Sequence, residues 1–261
     1  MTATKPAELL YPGETLDELR HWGLWVIQSK DGYRFGIDSL LLASLASPPQ
    51  RGLVLDMGTG CGVLSLILAR RFPNLRICAI EIQRSLARRA SRNVKMNGLS
   101  NNIRVVEGSF TDLPQIVEGD SFDYAITNPP YYRTDAGRKN PNAEKAIARH
   151  EIHGDLATLL ENAFYALKFR GKLGMIFDAL RTVDLLSQMR EKGIEPKLVR
   201  FIHSMVDQDA KLVFVEGVKG GKKGETKVAP PLVVYKRPHR YHDEVTELIG
   251  AYRWRSSAGG F

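Results

Sequence analysis

The chain has 261 residues, 43% hydrophobic and 25% charged, ordinary for a soluble globular protein and better matched to one large α/β domain than to two. No apolar run approaches the roughly 20 residues that cross a bilayer, and the start, MTATKPAELLYPGETLDELRHW, lacks the basic-then-apolar order of an export signal, so the expected location is the cytoplasm. Lys and Arg exceed Asp and Glu by 37 to 29, which admits a polyanionic partner, while two cysteines, Cys61 and Cys78, are too few for a disulfide framework or a thiolate metal site.

In chain order, the first 20 residues or so read as a loosely structured lead-in. LWVIQSKDGYRF (24–35) reads as a hairpin, two apolar-aromatic runs around the turn sequence SKDG. IDSLLLASLA (37–46) reads as a helix with Asp38 or Ser39 near its start, stopped by Pro48 and Pro49. From residue 53 strands and helices alternate. LVLDM leads through GTGCG into the helix VLSLILARRF, which ends at Pro73. RICAIE (76–81) is the next strand. A helix at about 84–97 follows, burying Leu86, Ala90 and Val94 and turning Arg88, Arg92 and Lys95 to another face before Asn97-Gly98 stops it. IRVVEG (103–108) and FDYAIT (122–127) are further strands, and DLATLLENAFYALKF (155–169) sets Leu156, Leu159, Leu160, Ala163, Phe164 and Leu167 at helical spacing. KLGMIF (172–177) is a fifth strand and ALRTVDLLSQMREKG a helix ending at Gly193. PKLVRFIHS and KLVFVEGVKG are consecutive strands with no helix between them, PPLVVY (230–235) a further short strand, and YHDEVTELIGAYRW a closing helix.

Buried strands alternating with helices imply a parallel sheet covered on both faces, and two strands joined directly imply an antiparallel pair at one edge. The expected class is therefore α/β: a doubly wound, mostly parallel, seven-stranded sheet with an antiparallel edge strand and a short N-terminal cap. Residues 1–50 are expected to form the lead-in and cap over the ligand site, and residues 51–261 the main domain.

The first strand of the alternating series runs into DMGTGCG, where Gly58, Gly60 and Gly62 free the backbone to turn sharply beneath a ligand. A merely tight strand-to-helix turn is the alternative for the loop alone. Glu81 ends the following strand, 25 residues after Asp56, where a carboxylate accepts both hydroxyl hydrogens of a ribose. That pairing suits dinucleotides and S-adenosylmethionine (SAM) alike. The D-x-G-x-G-x-G spacing is not G-x-G-x-x-G; it resembles the first motif of the class I SAM-dependent methyltransferases. The resemblance implies a Rossmann-like fold in which Asp56 and the loop backbone hold the methionine end of the cofactor. Where that family often carries an acid for the adenine amino group, this chain has EGSFTDL, which leaves the role to Ser109, Asp112 or backbone.

TNPPYY follows the strand FDYAIT, and in this topology it stands at the methyl-bearing end of the cofactor. A planar nitrogen is a poor nucleophile because its lone pair is delocalised. The Asn128 side-chain oxygen and the Pro129 carbonyl are suitable acceptors for its two hydrogens, Pro130 stiffens the turn, and Tyr131 offers a ring to stack on the acceptor. The alternative is a proline-rich turn whose asparagine caps a neighbour. NPPY resembles the motif of adenine, guanine and glutamine-amide methyltransferases, which implies nitrogen rather than oxygen as the acceptor.

KDGYRFGIDSLLLASL (30–45), NPPYY, ARHE (148–151) and VEGVKGGKKGETKVAPPLVVY (215–235) together resemble the bacterial tRNA1(Val) (adenine(37)-N6)-methyltransferase family, from about residue 22 to about 250. The resemblance implies SAM as cofactor, tRNA as partner and N6 of adenosine 37 as acceptor. The alternatives are another RNA base, DNA adenine or a protein glutamine amide, or a SAM-binding module without catalysis. It also implies that Tyr33, Arg34, Phe35, Gly36 and Asp38 form a lid strand and helix start beside the cofactor. Asp38 there either accepts from the SAM ammonium or caps the helix. The polar stretch 132–151, with Arg133, Arg138, Lys139 and Arg149, is long for a plain connection and is expected to grip RNA. KGGKKGETK, with Lys219, Lys222 and Lys223, is a second basic loop suited to phosphates, a solvated charge run being the alternative. His150 and His153 lack metal-site spacing, so no metal is expected; monomer and homodimer are both open.

Overall fold

The computed structural model describes residues 9–129 and 156–250. It begins with an antiparallel ribbon, β1 (Glu14–Leu19) against β2 (Leu24–Ser29), joined by a 3-10 turn at Arg20–Trp22. The hairpin expected over 24–35 is thus displaced: Leu24–Ser29 pairs backward with ETLDEL, and residues 33–36 form no strand. The displacement has an electrostatic cause. Two of the three acids of ETLDEL, Glu14 and Asp17, are buried partners of cations elsewhere in the chain. Glu14 accepts from Arg89 at 3.0 Å and from Arg92 at 2.5 Å, while Asp17 accepts from Arg34 at 2.6 Å and Gln28 at 2.7 Å. Burial pushes the Glu14 carboxyl up, but the donors Arg92, the Tyr11 N–H and Arg89 outweigh it and bring the pKa down to about 2.

The helix α1 (Ile37–Leu45) follows as expected, and then the alternating series: β3 (Arg51–Met57), α2 (Val63–Arg71), β4 (Asn74–Glu81), α3 (Arg84–Met96), β5 (Ile103–Glu107), a short α4 (Leu113–Ile116) and β6 (Phe122–Thr127). Next come α5 (Leu156–Ala166), β7 (Leu167–Asp178), α6 (Thr182–Glu191), β8 (Ile194–His203) and β9 (Ala210–Lys219). Two-residue strands β10 (Lys227–Val228) and β11 (Leu232–Val233) line the outer side of β8. A small ribbon, β12 (Tyr235–Arg237) with β13 (Arg240–Tyr241), then leads into α7 (Asp243–Ile249). β7 begins five residues earlier than KLGMIF, entering past an irregularity opposite Phe122–Tyr124.

The main sheet runs β10-β8-β9-β7-β6-β3-β4-β5, with β11 also on β8. Its seven long strands form the expected doubly wound, mostly parallel sheet. The strand that runs against the others is β9, which lies between β7 and β8 rather than at the expected edge and is antiparallel to both, so β8 again points with the majority. One apolar layer joins the sheet to β1–β2, α1, α2 and α7; the other joins it to α4, α5 and α6. Phe164, expected in the core, instead lies at its rim with the Lys219 ammonium 4.2 Å over its ring.

Asn93 and Asn97 attach α3 to the N-terminal ribbon. Asn93 accepts from the Ile27 N–H at 2.7 Å and donates to the Ile27 carbonyl at 3.0 Å; Asn97 does the same for Trp25 at 2.9 and 2.7 Å. Four helical residues rise about 6 Å and two strand residues about 6.6 Å, so two amides at this spacing pair alternate residues of a strand edge.

β3 is hydrogen-bonded to β4 on one side and β6 on the other, and the chain winds outward from it in both directions. The gap between β3 and β6 is therefore the topological switch point, where doubly wound sheets bind ligands beyond the carboxyl ends of their strands.

Candidate active site

The chain leaves β3 through a loop that only glycine permits. Gly58, Gly60 and Gly62 have φ of +77°, +59° and +89°. Space is short as well as backbone freedom: a Cβ on Gly62 would stand 3.3 Å from the Ala90 Cβ, and one on Gly60 3.0 Å from the Tyr33 ring. The Gly58 and Thr59 N–H groups donate to the Ile80 carbonyl, and Asn93 donates to the Cys61 carbonyl at 2.8 Å, so the loop is held from β4 and α3 together.

Asp56 is fully buried beneath this loop. Its Oδ2 accepts from the Thr59 hydroxyl at 2.6 Å and the Ser65 hydroxyl at 2.7 Å, while Oδ1 has no hydrogen-bond partner among the described residues. Burial raises its pKa to about 6 against the lowering effect of those two hydroxyls. At the tip of β4, Glu81 accepts from the Gly60 N–H at 2.8 Å and the Gln83 N–H at 2.9 Å. Beside it Gly58, Ile80, Ile82, Gly108, Ser109 and Phe110 line a narrow cleft. Ser109 faces this cleft and also accepts from the Thr111 N–H as the cap of a 3-10 turn; Asp112 lies one residue further out. Ile82 and Phe110, not singled out from the sequence, give the cleft apolar walls; an apolar residue directly after the ribose acid was the available signal.

β6 delivers Asn128 to the other side of the switch point. Thr127 donates to the Met57 carbonyl at 2.8 Å, which locks the tips of β6 and β3 together. The Asn128 Nδ2 donates to Asp38 Oδ2 at 3.1 Å and to Ser39 Oγ at 2.9 Å. The amide nitrogen of Asn128 is thus held by the first turn of α1. Asp38 is in the first turn of α1 but is not its cap residue, which is Gly36. Its Oδ1 accepts from the Ser39 N–H at 2.8 Å and lies where a Cβ on Gly36 would collide, at 2.5 Å. Asp38 thus joins the N-terminal segment to the end of β6. Ser39, the second anchor of Asn128, was not assigned from the sequence.

Tyr33 packs its ring over Gly60, and burial first, then the neighbouring acidic groups Cys61, Asp38, Glu81 and Asp56, push its phenol well above the ordinary range. Phe35 is only 2% exposed and belongs to the core, its N–H donating to Gln28. Pro129 is buried at the end of the site, whereas Pro130, Tyr131, Arg133, Arg138, Lys139, Arg149, His150 and His153 lie outside the described residues.

The three lysines expected to meet RNA are at the other end of the molecule. β9 runs opposite to β6, so Lys219 closes it at the amino end of the parallel strands. Lys219 is 8% exposed and its Nζ donates to Asp120, the Phe164 carbonyl and the Leu167 carbonyl at 2.6–2.7 Å, a structural clamp that leaves no ammonium hydrogen for a phosphate. Lys222 and Lys223 are exposed but share that end, where Lys197 donates to the Lys222 carbonyl. Ten strand residues at about 3.3 Å each separate them from the site, about 30 Å. Among the described residues no group of His, Cys, Asp and Glu could hold a metal, and no helix is long and apolar enough to cross a membrane.

Residues 29–183 match the model of the methyltransferase small domain family. The tRNA1(Val) (adenine(37)-N6)-methyltransferase of Pedobacter heparinus is 31% identical over 66% of this chain and 71% of its own length. That of Parabacteroides distasonis is 26% identical over 88% of this chain and 94% of its own. Among solved structures, a predicted O-methyltransferase of Agrobacterium tumefaciens superposes with a TM-score of 0.65 at 20% identity, covering 82% of this chain and 96% of that one. M. jannaschii TYW2, solved in complex with AdoMet, superposes with a TM-score of 0.55 at 19% identity over 80% of this chain and 88% of that one. At these identities the two structures establish the fold alone.

Proposed function

The chain belongs to the methyltransferase small domain family, among the tRNA1(Val) (adenine(37)-N6)-methyltransferases, and on that premise we propose that it is a SAM-dependent enzyme methylating N6 of adenosine 37 in a tRNA. Asn128 carries this conclusion. Its amide is fixed by Asp38 and Ser39 at the carboxyl end of β6, across the switch point from the glycine loop.

The loop suits the cofactor. Three left-handed glycines, a buried oxygen of Asp56 beneath them that is unpartnered among the described residues, and a carboxylate at the tip of β4 fit an amino-acid end and a ribose. Gly58, Gly60, Gly62 and Glu81 would hold it, with Asp38 toward the amino-acid end and Ser109, Ile82 and Phe110 around the base. When bound, SAM supplies an electrophilic methyl group on a sulfonium.

The chain's own contribution is positional and electrostatic. The exocyclic amine of adenine shares its lone pair with the ring. Accepting its hydrogens at Asn128 Oδ1 and the Pro129 carbonyl favours the pyramidal nitrogen over the planar one and fixes where its lone pair points. Tyr131 is proposed to stack on the base, and Pro130 to stiffen the turn. Lifting the base from its stack is cheaper in a single-stranded tRNA loop than in a duplex, where it costs a few kcal/mol. Arg133, Arg138, Lys139 and Arg149, which follow Asn128 in the chain, are proposed to hold the RNA backbone. Residues 1–50 are proposed as the cap over the cofactor site and the cytoplasm as the location.

Labelled SAM offered with tRNA, rRNA, duplex DNA and protein extract in separate reactions tests the function. The expected product is N6-methyladenosine in the tRNA digest; label confined to DNA or protein overturns it.

A further inference from the structure

We propose that the ribbon β12–β13 is a docking surface for the phosphate backbone of the substrate RNA, in place of the lysine-rich turn at 219–223. This rests on the tRNA reading above and adds where the RNA lies.

The direction of the strands places it. β11 runs parallel to β8, and both end at the carboxyl end of the sheet, the end that carries Asn128. The chain then leaves the sheet: the Val234 N–H donates to the His203 carbonyl at 2.8 Å, the Tyr235 N–H donates to the Ser204 carbonyl at 2.9 Å, and the His242 N–H closes the ribbon on the Val234 carbonyl at 2.9 Å. The ribbon is therefore rooted at the rim of the catalytic end. From β6 to β8 there are three strand spacings, about 14 Å at about 4.8 Å each, a span of about four stacked nucleotides at 3.4 Å per strand residue.

Its chemistry suits a polyanion. The tip reads KRPHR, and Lys236, Arg237, His239 and Arg240 are all exposed. His239 takes a left-handed conformation, φ +62°, that makes the turn tight, and Tyr235 stacks on Tyr241 at 5.3 Å and 16° to stiffen its base. Asp243 pairs with Lys236 at 2.5 Å, which leaves the guanidinium groups of Arg237 and Arg240 as the principal charges of the tip; neither has a carboxylate within ion-pair distance among the described residues. Guanidinium forks match phosphate oxygens in pairs. The contrast with Lys219 is direct: that ammonium spends its hydrogens inside the protein, and among the described residues these groups do not.

The test is a steady-state comparison on a purified tRNA transcript over a series of salt concentrations. Arg237→Ala/Arg240→Ala should raise KM for tRNA at least tenfold, leave kcat and SAM affinity within twofold of wild type, and flatten the log–log salt dependence by roughly 1.5–2. Lys222→Ala/Lys223→Ala should change none of these. Unchanged KM and slope in the arginine pair, or a larger effect in the lysine pair, overturns the proposal while leaving the function standing. A wild-type protein that binds SAM but methylates no tRNA overturns the function itself and the docking surface with it.

Discussion

The two ends of the sheet use charge in opposite ways. At the carboxyl end, polar groups are held in place around the glycine loop: the Asn128 amide by α1, Glu81, beside a narrow cleft, by two backbone N–H groups, and the buried Asp56 by two hydroxyls, its other oxygen unpartnered among the described residues. At the amino end, the buried charges Lys219 and Glu216 close on the protein itself. Lys219 spans Asp120 and two carbonyls, and Glu216 gathers the Ser47 N–H and hydroxyl and the Tyr124 hydroxyl. A larger cleft of about 510 Å³, lined by residues such as Leu53, Arg76, Cys78 and Arg104, opens at the starts of β3, β4 and β5, away from this chemistry. Strand direction, more than local charge density, thus decides which end of the sheet a charged residue reaches.

The strongest way to break this contrast is Asn128→Ala. It should lower kcat for tRNA about 10³-fold, the cost of one preorganised acceptor in a water-poor site, with SAM affinity within a few-fold by calorimetry. Normal turnover would remove Asn128 from the chemistry. At the other end, Lys219→Met leaves Asp120 and two carbonyls without their donor. It should cost on the order of 3 kcal/mol in urea unfolding while KM for tRNA stays at the wild-type value. A raised KM with unchanged stability would make this lysine an RNA contact after all.

Asp56 gives a pH test of the carboxyl end. Its folded pKa, about 6, lies above its ordinary 3.8, so the folded state holds its proton more tightly than the unfolded one. Its contribution to stability is present below pH 3.8 and lost as pH rises through 6. Asp56→Asn cannot ionise, so its stability relative to wild type should rise between pH 4 and pH 7, by at most about 3 kcal/mol. A difference that stays flat across that range would mean that Asp56 is not held at a raised pKa. The smallest expected effect is Ser39→Ala, which removes one of the two anchors of the Asn128 amide. It should lower kcat about tenfold with KM unchanged, and Ser39→Thr should restore most of it; equal kcat in all three proteins would show that Asp38 alone suffices.

Much of this was legible in the residues. Turn punctuation at Pro73, Asn97-Gly98 and Gly193 and the apolar runs between them gave the strands and helices, because each is a local pattern. The glycine loop, Glu81 and Asn128 were legible for the same reason: each lies at the end of a recognisable strand. What escaped was set by partners far along the chain. Glu14 and Asp17 fell in the stretch read as a loosely structured lead-in, because Arg89, Arg92 and Arg34 are 75, 78 and 17 residues away. Asn97 read only as a helix stop and Asn93 was not singled out, since nothing local says that a strand edge lies against them. Lys219 read as part of a flexible basic loop because its position depends on β9 running against its neighbours, which places its ammonium over β7 and beside Asp120. Asp38 was assigned to the cofactor or a cap, and its hydrogen bond to Asn128 joins segments 90 residues apart.

The most direct test of the central claim, that the carboxyl end of the sheet presents Asn128 to N6 of adenosine 37, is methyl incorporation into two tRNA transcripts that differ only at that position. With adenosine there, the wild-type protein should incorporate one methyl group per transcript, recovered as N6-methyladenosine. With guanosine there, incorporation should fall to background. Equal incorporation into both transcripts, or N6-methyladenosine recovered from the guanosine transcript at the same rate, would contradict the account.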